Sequence, residues 1–159
     1  MAWGQRLFPP AFSAVSHNVM QTPNVNAPGP IDQARLDHAA YDVLIVDDDD
    51  LVRATLASVL EDEGWTVREA RGPSEALKAC GGAERCRLLL TDINLGMVQD
   101  GFDVAAMLRQ RFPDLPVVFI TGRPWVYENR RFGSRDRALS KPLTMSSLAE
   151  TVRELIRAG

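Results

Sequence analysis

Short apolar runs and helical patterns alternate along the chain after Tyr41. The apolar runs predict strands at 43–46, 65–67, 87–91, 116–121 and 137–140. Apolar residues at helical spacing predict helices at 50–63, 73–80 and 144–157, a helix that ends before Pro113, and a short helix at 124–132. Five repeats of strand and helix require a parallel sheet with right-handed crossovers and helices on both faces. The pattern therefore predicts a doubly wound α/β domain with five parallel strands.

Residues typical of helix ends support several of these boundaries. Gly64 is expected to end the first helix, Pro73 to start the second, and either Thr144 or Ser146 to cap the last.

The first 40 residues do not share this pattern. They hold five of the ten prolines, and Arg6 is their one clear charge before Asp32. A proline-rich stretch without hydrophobic periodicity buries too little apolar surface to offset its ordering entropy. We expect a disordered extension over residues 1–40, with Met20 as an alternative start, and one domain over residues 41–159. If the extension has a role, we expect it to bind a partner or to tether the protein.

Composition argues against several classes of protein. No run approaches 18 apolar residues, and prolines at 9 and 10 interrupt any signal-peptide core. The net charge of −3 argues against nucleic acid as a partner. Cys80 and Cys86 match no metal-site spacing, and we expect a reduced pair in a cytoplasmic protein. The clustered arginines at 123–137 predict a solvated face, with an acidic protein partner as the second interpretation.

Polar residues occupy the carboxyl ends of four predicted strands, where a doubly wound sheet places its ligand site. They are Asp47, Asp48, Asp92, Thr121 and Lys141. Two carboxylates 4 Å apart repel by about 4 kcal/mol near a protein surface, so a cluster of three favours a bound cation. Oxygen ligands in an open, wet site suit Mg²⁺. Lys141 and the Thr121 hydroxyl can hold two oxygens of a phosphoryl group, which predicts phosphoryl transfer to an aspartate.

Taken singly, each of these residues has a simpler interpretation. The aspartates at 47–50 could form a solvated run that caps the next helix, Thr121 could end a strand, and Lys141 could lie in a surface loop. Their joint occurrence at strand ends of one fold favours the site.

Four segments resemble the receiver domain of bacterial two-component response regulators. They are VLIVDDDD at 43–50, LLLTDINL at 88–95, VVFITGR at 117–123 and LSKPL at 139–143. The resemblance covers about residues 41–158. It implies a flavodoxin-like fold with strand order 2-1-3-4-5, and a cis peptide bond before Pro142.

The resemblance also assigns expected roles to the site residues. Asp92 matches the phosphoacceptor, and Asp47 with Asp48 matches the acidic pair that binds Mg²⁺. The backbone carbonyl of Asn94 would complete the metal site. Thr121 matches the switch hydroxyl and Lys141 the lysine that pairs with the phosphoryl group, whereas Asp49 is more typical of a helix start than of a metal ligand.

The same resemblance implies how the protein would signal. A histidine kinase or histidine phosphotransfer protein would donate the phosphoryl group, and the receiver would not be classed as an enzyme although it assists its own phosphorylation and dephosphorylation. Because no output domain follows the last predicted helix, we expect a single-domain regulator that contacts an unidentified downstream protein. Receivers of this kind use the fourth helix, fifth strand and fifth helix as the contact face, through which a homodimer could also form.

Three departures from the family pattern affect the predicted switch. The loop at 95–101 lacks the usual proline and is one residue longer, and the segment between Thr121 and Lys141 is slightly short. Ala138 occupies the position of the usual switch aromatic. We hypothesise that Trp125 or Tyr127 takes over the conformational readout; the alternative is that Trp125 only packs on the sheet edge.

Two other functions compete with this prediction. One is a pseudo-receiver, an interaction module that never cycles phosphate, which the departures keep open. The other is a Mg²⁺-dependent phosphatase or mutase with an aspartyl nucleophile. Those enzymes usually carry Asp-x-Asp on the first strand together with a cap domain, whereas here Asp47 and Asp48 are adjacent and the chain has no room for a cap.

Overall fold

The computed structural model describes residues 41–80, 86–96, 98–127, 130 and 132–158. The predictions made for residues 1–40 lie outside the described residues. No helix in the described part of the chain is long and apolar enough to cross a bilayer.

Strands and helices alternate along the described residues as the sequence predicts. The strands are β1 (Tyr41–Val46), β2 (Val67–Ala70), β3 (Cys86–Asp92), β4 (Val117–Thr121) and β5 (Asp136–Ser140). The helices are α1 (Asp50–Asp62), α2 (Pro73–Ala79), α3 (Gly101–Arg109) and α4 (Met145–Arg157), with a 3₁₀ turn at Pro124–Tyr127. All paired strands are parallel, in the order β2-β1-β3-β4-β5. This confirms the doubly wound, flavodoxin-like fold.

The two sheet faces carry separate apolar layers. On one face, Val43, Ile45, Leu88 and Leu90 pack against residues of α1 and α4. On the other, strand residues such as Leu89 and Phe119 pack with residues of α2 and α3. The strands β1, β3 and β4 are therefore buried on both sides, which is why they are continuously apolar in sequence.

Side-chain caps explain where two of the helices begin. Asp49 caps α1 by accepting hydrogen bonds from the backbone N–H groups of Leu51 and Val52, as expected of a helix-start residue. Thr144, rather than Ser146, caps α4.

The second strand begins later than predicted, because the turn after α1 includes Trp65. Gly64 has φ +89°, and the Trp65 N–H donates to the Leu60 carbonyl at 3.1 Å in a Schellman turn. Trp65 thus closes the helix, and the strand predicted at 65–67 begins at Val67.

The short helix predicted at 124–132 does not reach its predicted end, since residues 130 and 132 are not helical. The structure has one 3₁₀ turn there, Pro124–Tyr127. The polar residues that follow the turn give a longer helix no apolar stripe to bury. Instead, Phe132 packs its ring 5.7 Å from that of Phe119.

Candidate functional site

The carboxyl ends of β1, β3 and β5 bring two buried carboxylates to one ammonium group. Lys141 Nζ lies 2.5 Å from Asp92 Oδ2 and 3.5 Å from Asp47 Oδ2. Asp47 is 1% exposed, whereas Asp92 is 9% exposed and so remains accessible from one side. Both carboxylates are also oriented by the backbone, since the N–H of Asp49 donates to Asp47 Oδ1 and that of Asn94 to Asp92 Oδ1.

Thr121 joins this group from the end of β4. Its fully buried hydroxyl accepts hydrogen bonds from the Arg123 N–H at 3.1 Å and from Asn94 Nδ2 at 3.4 Å. Its carbonyl accepts the Lys141 N–H at 2.7 Å, next to the cis bond between Lys141 and Pro142. The structure therefore links Thr121 to the Asp92 carboxylate through Asn94 and to Lys141 through the backbone.

Asp48 lies at the exposed rim of the same group. Within the described residues, its carboxylate has no hydrogen bond and no ion pair. Gly96, in the loop after β3, has φ +60°, and a Cβ added there would lie 2.7 Å from Asp48 Oδ2. Glycine at this position therefore allows the loop to pass directly over the Asp48 carboxylate.

Burial and charge act in opposite directions on the ionisable groups of the site. Burial raises the pKa of Asp47 above its usual value, although the Asp49 N–H and the Lys141 charge partly offset this. Burial also acts to lower the pKa of Lys141. The hydrogen bond and charge of Asp92, with a smaller contribution from Asp47, outweigh burial and raise that pKa. Lys141 is thus held charged at neutral pH between the two carboxylates.

The described residues offer hard oxygen donors but no ready-made metal cage. No three of their His, Cys, Asp and Glu side chains are placed to hold a metal ion by themselves. The donors beside the site are the carboxylates of Asp47, Asp48 and Asp92, and that of Asp48 is not engaged by any described residue. An open set of a few carboxylate oxygens fits Mg²⁺, which keeps several of its water ligands.

Two residues that support the site were missed by the sequence analysis. Arg53 is 7% exposed and donates to the Asp47 carbonyl. Its position was detectable, since residues 53, 56, 57 and 60 form the buried stripe of α1. Gly101 is the other, because a Cβ on it would lie 2.3 Å from the Asp92 carbonyl oxygen.

The positions that depart from the family pattern lie on β5 and the segment before it. Ala138 is exposed and pairs in register with Phe119. Trp125 is 62% exposed, and its role as the readout stays a prediction. The side chain of Tyr127 lies outside the described part of the structure.

The arginine cluster is only partly a solvated face. Arg137 pairs with Glu154 on α4 at 2.5 Å, and Arg130 lies 3.5 Å from Asp100 and over the Phe102 ring. Of the other three members, Arg123 is exposed and Arg135 is half-buried, and the one at position 131 lies outside the described residues.

A family model for the response regulator receiver domain matches residues 43–153. The chain belongs to this family. The match spans strands β2 to β5 and most of β1 and α4, and it confirms the resemblance that the four motif segments indicate. Receiver domains are signalling modules rather than classical enzymes. They partner with histidine kinases or phosphotransfer proteins, and phosphorylation and Mg²⁺ binding are typical of them.

Individual relatives are similar over the same part of the chain. The nitrogen assimilation regulatory protein NtrX of Azorhizobium caulinodans is 39% identical over 84 residues, which cover 52% of this chain and 18% of NtrX. The response regulator MprA of Mycobacterium ulcerans is 35% identical over 118 residues, which cover 72% of this chain and 50% of MprA. The matched receiver thus corresponds to half or less of these two relatives.

Solved structures give the same result. The crystal structure of the NtrX receiver domain from Brucella abortus superposes with a TM-score of 0.65 at 30% identity. The match covers 74% of this chain and 100% of that domain.

Proposed function

We propose that Asp92 is the phosphoacceptor of this receiver and takes its phosphoryl group from a phosphohistidine of a histidine kinase or phosphotransfer protein. The observation that carries the proposal is the position of the Asp92 carboxylate. It lies at the end of β3, is partly accessible, and has one oxygen 2.5 Å from Lys141 Nζ. In the transfer, a carboxylate oxygen attacks phosphorus, the P–N bond to histidine breaks, and an acyl phosphate forms.

Lys141 and Thr121 would stabilise the group once it is transferred. The ammonium of Lys141 lies between the carboxylates of Asp47 and Asp92. It can therefore move its hydrogen bond from the Asp92 carboxylate to a phosphoryl oxygen. The Thr121 hydroxyl can donate to a second oxygen after it gives up its contact with Asn94 Nδ2. Lys141 already lies beside the Asp92 carboxylate, so its contribution needs little reorganisation, whereas the Thr121 hydroxyl has to reorient.

The carboxylates of Asp47, Asp48 and Asp92, with the backbone carbonyl of Asn94, would hold Mg²⁺ in this proposal. The ion would neutralise charge on the phosphoryl oxygens during transfer. The contribution of the chain is to bring these acidic residues to one edge of the sheet, where Lys141 balances only part of their negative charge.

Phosphorylation would then change the charge balance beside the loops that follow β3 and β4. Lys141 and Thr121 would exchange their present partners for phosphoryl oxygens, and the equilibrium between two conformations would shift. We propose that a downstream protein reads this change at the face formed by β5, α4 and the segment before β5. The receiver unit would extend over residues 41–159. That the protein acts as a single-domain regulator stays a prediction.

The test is incubation with acetyl phosphate, with and without Mg²⁺, followed by intact-mass analysis. We expect a gain of one phosphoryl group that requires Mg²⁺ and is lost in Asp92→Asn. The matched control is Asp114→Asn, since Asp114 is an exposed aspartate in the turn before β4 and should leave the gain intact. No adduct from acetyl phosphate or from a phosphorylated histidine protein would favour the pseudo-receiver instead, and multiple turnover of phosphomonoesters would favour the phosphatase.

A further inference from the structure

Arg53 on α1 is a buried arginine with three acceptors in three different segments. Its Nη1 donates to the Asp47 carbonyl at 2.8 Å, its Nε to Glu69 Oε2 at 3.0 Å and its Nη2 to Asp50 Oδ1 at 2.6 Å. The side chain is 9% exposed. A planar guanidinium with donors fixed in direction suits such a divergent set of acceptors better than a lysine ammonium does.

The bond to the Asp47 carbonyl lies where the sheet stops supporting the backbone. The ladder between β1 and β2 ends at Val46 and Ala70, and the Asp47 N–H makes its last bond, to the Ala70 carbonyl at 3.2 Å. The Asp47 carbonyl belongs to the peptide unit that joins Asp47 to Asp48. Arg53 therefore fixes the plane of the peptide that sets the two carboxylates relative to each other.

The charge of Arg53 is already balanced on the side away from the site. Asp50 and Glu69 both form ion pairs with it, and Asp50 is shared with Arg71 at 3.2 Å. No hydrogen bond or ion pair links the guanidinium to the side chain of Asp47, Asp48 or Asp92 among the described residues. Any effect of Arg53 on the site thus acts through the backbone rather than through direct attraction.

We propose that Arg53 is a positioning residue for the magnesium site, which holds the Asp47–Asp48 peptide so that both carboxylates face one cation. The inference rests on the proposed function, because it assumes that this pair binds Mg²⁺. Residues that orient metal ligands typically change metal affinity by about 10–100-fold when they are removed. We expect a weakening of that order, with little loss of phosphorylation rate once Mg²⁺ is saturating.

The experiment is titration of the full chain with Mg²⁺ alone, followed by calorimetry, for wild type and Arg53→Met. The matched control is Arg153→Met, which removes an arginine on α4 that pairs with Glu63 at the far end of α1. Thermal melting of each variant separates stability from affinity. We expect the Mg²⁺ Kd to rise only for Arg53→Met, and the rate of phosphorylation by acetyl phosphate to recover at high Mg²⁺.

Each outcome decides between positioning and a merely structural role. A folded Arg53→Met protein with the wild-type Mg²⁺ Kd would overturn the inference, even if its melting temperature falls. If Arg53→Met does not fold, Arg53→Lys is used in its place. The inference then requires that the Mg²⁺ Kd of Arg53→Lys exceed that of the wild type by more than the error of the titration. A wild-type chain that binds no Mg²⁺ would instead refute the proposed function.

Discussion

Replacing Gly101 by alanine should disturb the backbone of the phosphoacceptor directly. Gly101 is the first residue of α3, and its N–H donates to the Ile93 carbonyl at 3.0 Å. A Cβ at this position would lie 2.3 Å from the Asp92 carbonyl oxygen and 3.0 Å from Thr91 Oγ1. Ordinary van der Waals contact begins near 3.4 Å, so either α3 or the end of β3 must move by about 1 Å.

Neither segment can move freely. The N-terminus of α3 is held by a capping box in which Asp100 accepts from the Asp103 N–H and Asp103 accepts from the Asp100 N–H. Overpacking against fixed atoms costs about 1–3 kcal/mol. A shift of about 1 Å at a reacting group can lower its rate by up to about a hundredfold. We therefore expect Gly101→Ala to lose stability on that scale and to be phosphorylated more slowly.

Urea unfolding followed by circular dichroism measures the first effect, and the rate of mass gain with acetyl phosphate measures the second. The control is Gly122→Ala, because a Cβ at Gly122 meets nothing within 4 Å. We expect its stability to stay within about 0.5 kcal/mol of the wild type. The steric argument is refuted if Gly101→Ala is as stable as that control, or if both variants are destabilised equally.

Three further predictions concern other parts of the domain. Burial alone would raise the pKa of Asp42, but hydrogen bonds from Thr66 outweigh it and the pKa is lowered, so Asp42 contributes stability above its unfolded pKa near 3.8. Asp42→Asn should therefore melt below the wild type at pH 7, and the gap should close as pH falls below about 3.8; a gap that does not depend on pH would contradict this. Arg109→Met leaves the 8%-exposed Asp136 carboxylate without its cation and should cost about 3 kcal/mol in urea unfolding. A loss below about 1 kcal/mol would show that this pair behaves as a surface ion pair. With the other two tryptophans replaced by phenylalanine, Trp125 fluorescence should change when beryllofluoride and Mg²⁺ are added, and a flat signal would exclude Trp125 as the readout.

The fold was predictable because its central strands are buried on both faces. Runs such as 43–46 and 117–120 are continuously apolar for that reason, and they mark β1 and β4 without ambiguity. The edge strand β2 was harder, because Val67–Ala70 contains Arg68 and Glu69 and pairs with a neighbouring strand, β1, along one edge only. Trp65 gave a stronger apolar signal than the strand itself, although it belongs to the turn that ends α1.

The main residues of the site were predictable because the carboxyl ends of parallel strands converge. Their supporting residues were not, since their roles depend on contacts between distant segments. Helical spacing could place residue 53 on the buried side of α1, but its role could not be predicted, because its acceptors come from Asp47 after β1 and Glu69 on β2. The tight fit of Gly101 likewise depends on the loop that returns α3 to the end of β3.

The position of the acyl phosphate shows directly whether Asp92 carries the phosphoryl group. Borohydride reduction of the acetyl phosphate-treated protein converts an aspartyl phosphate to homoserine, and peptide sequencing by mass spectrometry then locates it. We expect homoserine at position 92 alone, dependent on Mg²⁺ and absent from Asp92→Asn. Homoserine at Asp47 or Asp48, or none anywhere in a protein that has gained phosphate, would contradict the proposal.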